Sequence, residues 1–194
     1  MTVDADVARE RAVTRLHELA RLAEVSAAAL PDEIAAAALL VRGVLADGGT
    51  LFFCGNGGSA ADAQHIATEY VVRYMRNRRA LPAVALTTDT SLLTAAGNDL
   101  GFEQVFSRQV EALVRSGDLL VIHSTSGNSP NVVRAAEAAR AKGAKVLALT
   151  ARDGGALRAL ADVAIVVPTD RTDRAQELHL TIEHVICELA ESDA

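Results

Sequence analysis

The sequence has few aromatic residues and few cysteines. Only 3% of its 194 residues are aromatic and none is tryptophan, although half are hydrophobic. The core therefore has to be built from Ala, Val, Leu and Ile. Two cysteines, Cys54 and Cys187, are too few for a disulfide framework and do not have a zinc-binding spacing. We expect both thiols to be buried packing residues in a reducing compartment, the cytoplasm.

Long apolar runs and basic clusters are also missing. No run reaches the roughly 18 residues that a membrane span needs, and residues 1–10 are charged and polar, unlike a secretory leader. The formal net charge is −6, and the one arginine-rich stretch, residues 73–79, is short. The composition therefore predicts a soluble, cytoplasmic protein that has neither nucleic acid nor a membrane as its partner.

Short apolar runs alternate with amphipathic segments after the first 48 residues. The runs predict five strands, at 50–54, 82–86, 118–123, 145–149 and 163–167. The segments between and after them predict helices, at about 58–74, 89–97, 102–115, 130–141, 155–160 and 170–191. Strands that alternate with helices indicate parallel pairing through right-handed crossovers. We predict an α/β fold with a doubly wound, five-stranded parallel sheet, flavodoxin-like, in three α/β/α layers.

The predicted domain is single and spans residues 1–194. Two helices, at about 4–30 and 31–45, form an N-terminal extension within residues 1–48, and residues 49–194 form the α/β core with its long last helix. This extension is longer than a sheet of this size needs. We expect it to serve oligomerisation, although an intramolecular cap is a close alternative.

Two runs rich in glycine and serine directly follow predicted strands. The first is 54–60 (CGNGGSA) and the second is 124–130 (STSGNSP). A helix that begins at the carboxyl end of a parallel strand suits a phosphate. Neither run contains lysine, so backbone N–H groups and hydroxyls would bind the anion. The first run alone fits a plain turn, but the second has more hydroxyls than one helix cap needs, so we predict a phosphorylated small molecule as ligand.

Two of the predicted helices carry candidate site residues. His65, Glu69 and Arg73 are spaced by four and share one helix face. That face is either an exposed ladder between Glu69 and Arg73 or part of the ligand crevice, where His and Glu one turn apart suit a metal. Gln176 and His184, on the last helix, could point into one cleft. His184 has apolar neighbours in sequence, which favours a functional role, whereas we expect His179 to be a surface or hydrogen-bonded core residue.

With these segments placed, the chain resembles the sugar isomerase (SIS) domain family over nearly its whole length. The matching stretches are 54–65 with Glu69, 81–90, 97–99, 106–109, 124–129 and 176–184. The resemblance implies an aldose–ketose isomerase that converts D-sedoheptulose 7-phosphate to D-glycero-D-manno-heptose 7-phosphate through an enediol. This reaction would be the first step of nucleotide-activated heptose biosynthesis.

The resemblance also implies the site residues. Glu69 and His184 are the implied catalytic acid/base pair, and the implied cofactor is one zinc ion per subunit. The implied zinc ligands are His65, Glu69, Gln176 and His184. The implied substrate contacts are Asn56, Gly57, Gly58, Ser59, Glu69, Arg73, Asn98, Asp99, Ser124, Thr125, Ser126, Ser129 and Gln176. A homotetramer with sites at subunit interfaces is implied as well.

One alternative function keeps the same fold. It is a non-catalytic member of the family that binds a replication initiator protein, and the presence of both Glu69 and His184 argues against it. His123 departs from the resemblance, because a small or apolar residue is typical at that position. We expect a local hydrogen bond for this histidine at the end of its strand.

Overall fold

The computed structural model describes residues 4–191 and is built around a sheet of five strands. The strands are β1 (Leu51–Gly55), β2 (Ala83–Ala85), β3 (Leu119–His123), β4 (Lys145–Ala151) and β5 (Val163–Val167). Their order across the sheet is β2-β1-β3-β4-β5, and every neighbouring pair is parallel. The predicted doubly wound parallel sheet is thus confirmed.

Helices surround the sheet and occupy most of the predicted segments. They are α1 (Ala5–Ala29), α2 (Pro31–Ala46), α3 (Gly58–Val71), α4 (Thr90–Asp99), α5 (Ser107–Leu113), α6 (Pro130–Ala141), α7 (Leu157–Leu160) and α8 (Thr172–Glu191). Among residues 4–191, none of these helices combines the length and apolar character needed to cross a membrane.

The two faces of the sheet carry separate cores. Along β1, Leu51 and Phe53 join the core shared with α2, α3 and α8, whereas Phe52 and Cys54 join the core shared with α5 and α6. Side chains of a strand alternate between its faces, so a strand buried on both sides reads as an unbroken apolar run. Both thiols are buried, as predicted, and burial raises the pKa of Cys54 and of Cys187.

Two predicted helices have different bounds in the structure. The helix predicted at 102–115 is wrong, because a 3₁₀ helix (Phe102–Gln104) precedes a separate α5. The Ser107 hydroxyl donates to the Gln104 carbonyl at the break, a local bond that competes with a continuous helix. The helix predicted at 58–74 ends at Val71, since the Arg78 guanidinium donates to two carbonyls of its last turn.

Helix α1 is long but scarcely buried in the single chain. Of its 25 residues only Ser26 is buried. Leu19 and Leu22 pack against the core at half burial, while Leu16 and Val25 are exposed. A helix of this length is usually stabilised by packing an apolar face. The predicted role of this extension in oligomerisation stays a prediction.

A buried ion pair joins the carboxyl ends of α3 and α8. Arg78 Nε lies 2.9 Å from Glu191 Oε1, and both side chains are 1% exposed. The same guanidinium donates to the carbonyls of Glu69 and Tyr70. The Glu191 carboxylate also accepts the backbone N–H groups of residues 74–76, at 2.8–3.1 Å. We call this arrangement the Arg78–Glu191 clasp.

The clasp keeps Glu191 ionised. Burial alone would raise the pKa of its carboxyl, but the N–H groups of residues 74–76 and the Arg78 charge lower it below the ordinary value of 4.5. A carboxyl with a depressed pKa stabilises the fold at neutral pH. That stabilisation is lost as the pH falls through the lowered pKa.

Replacing Glu191 by Gln should lower the free energy of unfolding at pH 7 by about 3 kcal/mol, because Arg78 keeps a buried charge without its counterion. The loss should shrink as the pH is lowered below 4.5, where the wild-type carboxyl also becomes neutral. Urea unfolding at one protein concentration measures both effects. Glu188→Gln, an exposed change on the same helix, should stay within about 0.5 kcal/mol. Equal losses in the two variants would contradict this account of the clasp.

Candidate active site

The two glycine- and serine-rich runs lie side by side at the carboxyl edge of the sheet. One follows β1 and the other follows β3, and these strands are neighbours in the sheet although the chain visits β2 between them. Helix α3 then packs on one face and α6 on the other. The connections therefore diverge at this point, which is where open α/β sheets bind their ligands.

The first run turns sharply into α3. Gly57 is the residue before the helix, with φ 59° and ψ −122°, a backbone conformation that favours glycine. Asn56 exchanges two amide hydrogen bonds with Asn131, in the first turn of α6, at 2.8 and 2.9 Å. This pair ties the two helix starts together across the crevice. Ser59 is buried in the first turn of α3.

The second run, which we call the serine loop (residues 124–129), is held rigidly from β4. The Ser124 N–H donates to the Leu149 carbonyl, and the Asn128 side chain accepts from the Ala156 N–H. Gly127 has φ 63°, and a β-carbon there would lie 2.0 Å from the Gly154 oxygen, so only glycine fits. Ser129 precedes α6 without capping it through its side chain. Its hydroxyl is therefore directed to no helix N–H.

The electrostatics of this edge suit an anion. The first turns of α3 and α6 present unpaired N–H groups and the positive ends of two helix dipoles. A cavity of about 620 Å³ adjoins the serine loop at Ser126 and Asn128, and its charged lining residues are Arg152, Asp153 and Asp170. Arg152 is the one non-glycine residue among those described with positive φ, 60°. Sequence reasoning missed these three charged residues, which lie outside both runs.

A second group of functional side chains lies further along α3 and α8. His65 Nε2 is 3.1 Å from His184 Nε2 and 3.3 Å from Glu69 Oε1. One ligand atom from each of the three lies within 4.8 Å of the others. The alternative ladder between Glu69 and Arg73 is not what the structure shows, since Glu69 pairs with His65. We call His65, Glu69 and His184 the triad.

The spacing of the triad fits a tetrahedral metal ion. Zn–N bonds of about 2.0–2.1 Å at tetrahedral angles place two ligand atoms about 3.3–3.4 Å apart. The two distances measured from His65 Nε2 are close to this value. Two imidazoles and a carboxylate are also donors that zinc prefers. Three protein ligands would leave the fourth position open for a water molecule or a substrate oxygen.

Gln176 lies apart from the triad. Its side-chain amide lies against Gly58, so closely that a β-carbon on Gly58 would be 2.7 Å from it. Gln176 is eight residues before His184, which is a separation of about 12 Å along the axis of α8. Gly58, which Gln176 contacts, is likewise seven residues before His65 on α3. In this structure Gln176 therefore belongs to the crevice, beside the first run.

The other predicted contact residues are exposed and separate from these two groups. Asn98 and Asp99 end α4, where the Asn98 amide donates to the Asp99 carboxylate at 2.7 Å. Arg73 is exposed two residues beyond the end of α3. Their predicted roles toward a substrate stay predictions.

A buried polar cluster lies between β3, α3 and α8. His123 is fully buried and its Nε2 hydrogen bonds to the Glu183 carboxylate on α8. The expected local bond is therefore wrong, because the partner is 60 residues away in sequence. His179 is buried as well and bonds the Thr150 carbonyl at 2.9 Å, as expected for a core histidine. Asp62 has a buried carboxylate oxygen with no partner among the described residues.

The charges of this cluster shift the pKa values of its members. Burial lowers the pKa of His123, but Glu183 and Asp62 more than offset it, so the pKa of His123 is raised. Burial raises the pKa of Asp62, with Glu183 adding to the effect and His123 opposing it. Burial also lowers the pKa of His179 to about 4. The pKa values of these two histidines are therefore shifted in opposite directions, raised for His123 and lowered for His179.

Comparison with known proteins points to one family. The SIS domain model matches residues 16–151. A phosphoheptose isomerase of Chlorobaculum parvum is 55% identical and covers 94% of this chain and 89% of its own length. Another phosphoheptose isomerase, of Nitratidesulfovibrio vulgaris, is 50% identical and covers 96% of this chain and 89% of its own length.

Solved structures agree with these relatives. The phosphoheptose isomerase of Neisseria gonorrhoeae superposes with a TM-score of 0.90 at 47% identity, covering 95% of this chain and 98% of that one. The phosphoheptose isomerase of Francisella tularensis gives a TM-score of 0.92 at 36% identity, with both chains covered fully. The likeness therefore extends over the whole described chain.

Replacing His123 by Leu should lower the free energy of unfolding by about 3–5 kcal/mol, because the Glu183 carboxyl would stay buried without the hydrogen-bond partner that it has in the wild type. The double variant His123→Leu/Glu183→Leu should recover most of this loss, since two apolar residues can replace a buried pair. Urea unfolding of the three proteins at one concentration tests this. A single variant as stable as the wild type would contradict the assignment of the pair.

Proposed function

The chain belongs to the SIS domain family and, within it, to the phosphoheptose isomerases; we propose that it converts D-sedoheptulose 7-phosphate to D-glycero-D-manno-heptose 7-phosphate. One observation carries the proposal. Two helices bring the carboxylate of Glu69 and the imidazole of His184 together beside His65, in a chain about half identical to named isomerases.

Isomerisation of a ketose to an aldose requires a base for the carbon-bound proton and a second group that carries a proton between the two oxygens. Glu69 takes the proton from C1 of the ketose and returns it to C2 of the resulting enediol. The His184 imidazole moves a proton between the two neighbouring oxygens, O2 and O1. Each such group contributes about 10²–10⁴-fold in rate. The Glu69 side chain is only 21% exposed, and its carboxylate lies 3.3 Å from His65 Nε2.

The serine loop is the proposed phosphate site. Ser124, Thr125, Ser126 and Ser129 supply hydroxyls there, and the first turn of α6 supplies N–H groups. The loop is anchored to β4 and to the residues before α7, so it needs little ordering when substrate binds. Asn56, Gly57, Gly58, Ser59 and Gln176 would then face the sugar, with Arg73, Asn98 and Asp99 as further contacts.

Zinc is the proposed cofactor, with the triad as its ligands. Bound zinc would polarise the substrate carbonyl and stabilise negative charge on its oxygen. Coordination also lowers the basicity of a carboxylate, so the metal role and the base role of Glu69 compete. We give the acid/base roles of Glu69 and His184 more weight. Gln176 as fourth ligand would require that its amide leave Gly58 or come from a second copy of the chain.

A homotetramer with shared sites is part of the proposal. Along α3, His65 and Glu69 are about 10 and 16 Å from Gly58 at the crevice, so the serine loop and the triad of one chain are well separated. Several helices carry exposed apolar side chains. They include Val13, Leu16 and Val25 on α1, Leu39 on α2, and Val185 and Leu189 on α8. A second copy packed there would bury α1 and bring its serine loop toward the triad.

The alternative, a non-catalytic protein that binds a replication initiator, gains no support. The relatives compared above are named isomerases, and both acid/base residues are present and adjacent. A cytoplasmic location fits the two buried thiols and remains part of the proposal.

The test of the function is turnover of sedoheptulose 7-phosphate by the purified protein. Glu69→Gln and His184→Ala should each lower kcat by about 10²–10⁴-fold, because each removes one proton-transfer group. Glu111→Gln is the matched control, an exposed carboxylate on the opposite face of the sheet, and should keep wild-type turnover. Binding of the sugar phosphate without turnover in the wild type would overturn the isomerase and favour the non-catalytic alternative.

The test of the cofactor is the zinc content of the dialysed protein, measured by elemental analysis. His65→Ala should lose most of the zinc, because it removes the ligand that lies between Glu69 and His184. His17→Ala, an exposed histidine on α1, should keep the wild-type content. Loss of zinc in Gln176→Ala would identify the fourth ligand. Equal zinc in His65→Ala and the wild type would rule out the triad as the metal site.

A further inference from the structure

The ring of Tyr74 covers one face of His184. The two rings are nearly parallel, 5° apart, with centroids 5.0 Å from each other. Tyr74 belongs to the segment that joins α3 to β2, which we call the connecting segment (residues 72–82). The sequence offers no signal for this contact, since Tyr74 lies in an arginine-rich run 110 residues before His184.

The Glu191 carboxylate fixes the backbone of Tyr74. Its N–H donates to the Glu191 carboxylate at 2.8 Å, and the next two N–H groups donate to the same carboxylate. Arg78 pairs with Glu191 and also donates to the Glu69 carbonyl. The Arg78–Glu191 clasp thus holds the connecting segment, the end of α3 with Glu69 and the end of α8 in one arrangement. The backbone that carries the Tyr74 ring is therefore held in place where the ring packs on His184.

Little else in the chain orients the His184 imidazole. Its polar contact within residues 4–191 is with His65 Nε2 at 3.1 Å, where the two rings meet edge to face at 68°. A hydrogen bond at one atom leaves the ring free to turn about that atom. A flat aromatic side chain stacked on the ring removes this freedom, because offset stacking favours parallel planes. Tyr74 is thus the side chain whose ring lies parallel to the His184 imidazole.

We infer that Tyr74 is a positioning residue for the isomerisation: its ring fixes the plane of the His184 imidazole so that Nε2 points toward His65 and the reacting oxygens. The inference rests on the proposed role of His184. The positioning depends on the aromatic ring of Tyr74 and not on its hydroxyl, because the structure shows no hydrogen bond between that hydroxyl and His184. A misplaced proton carrier slows the chemical step while leaving phosphate binding at the serine loop unchanged.

The experiment compares Tyr74→Phe, which keeps the ring, with Tyr74→Leu, which removes it. Met75→Ala is the control, because Met75 shares the clasp through its N–H but its side chain is 64% exposed. Tyr74→Met serves as a second ring-free variant if the leucine variant does not fold. The readouts are kcat, KM and the NMR signals of the histidine rings, assigned with His184→Gln.

We expect Tyr74→Leu to lower kcat by about 10–100-fold, the scale of a misplaced catalytic group. KM should stay within about threefold, since the lost interaction acts on the transition state and not on substrate binding. The His184 ring protons should move downfield when the stacked ring is removed, while the signals of buried His123 and His179 stay in place. Tyr74→Phe and Met75→Ala should resemble the wild type in all three readouts.

Three results would overturn the inference: full kcat in Tyr74→Leu, equal losses in Tyr74→Phe and Tyr74→Leu, or His184 signals that do not move. A wild-type protein without turnover would instead refute the isomerase. In that case the His184 signals would still show whether the Tyr74 ring stacks on the imidazole.

Discussion

The packing of α3 against α8 is the constraint on which the candidate site depends. The triad comes from these two helices, so a shift of one against the other would separate Glu69 from His184. Contacts at three levels hold them, namely Gln176 against Gly58, His184 against His65, and Glu191 with Arg78. The last of these is buried and charged, and it cannot slide without leaving a charge unpaired.

A second buried pair connects this helix packing to the sheet. His123 is the residue before the serine loop, and Glu183 is the residue before His184. Their hydrogen bond therefore joins the backbone of the proposed phosphate site to that of the triad. Removing one partner of such a buried pair is strongly destabilising. The pair therefore ties together two segments whose next residues, Ser124 and His184, are predicted site residues.

The two halves of the candidate site use different physical means. The serine loop offers neutral donors and the positive ends of helix dipoles. The triad brings together ionisable side chains that could bind a metal. The Tyr74 ring packs on its His184, and the Arg78–Glu191 clasp holds the backbone near Glu69. Such a division suits a substrate with a permanent anion at one end and a reacting carbonyl at the other.

The fold could be predicted from local pattern because each strand is a short apolar run that ends in turn residues. The predicted crevice followed from the same logic, since the carboxyl ends of parallel strands share one edge. The errors came where a side-chain contact accompanied a different local structure. The Ser107 hydroxyl bonds the Gln104 carbonyl where the predicted helix 102–115 is broken. The Arg78 guanidinium bonds two carbonyls in the last turn of α3, and the partner of His123 is Glu183, 60 residues away. None of these contacts is marked by spacing or periodicity.

By itself the sequence determined the alternation of strands and helices and the two loops at the sheet edge, because these depend on residue type and on neighbours within a few positions. The candidate acid/base and metal-ligating residues came from the family resemblance and stay predictions. Only the tertiary structure decided which of those residues meet. It joined His65, Glu69 and His184, left Gln176 at the crevice, and brought Tyr74 onto His184. Such contacts depend on how whole helices pack, and packing is set by the entire core rather than by any one segment.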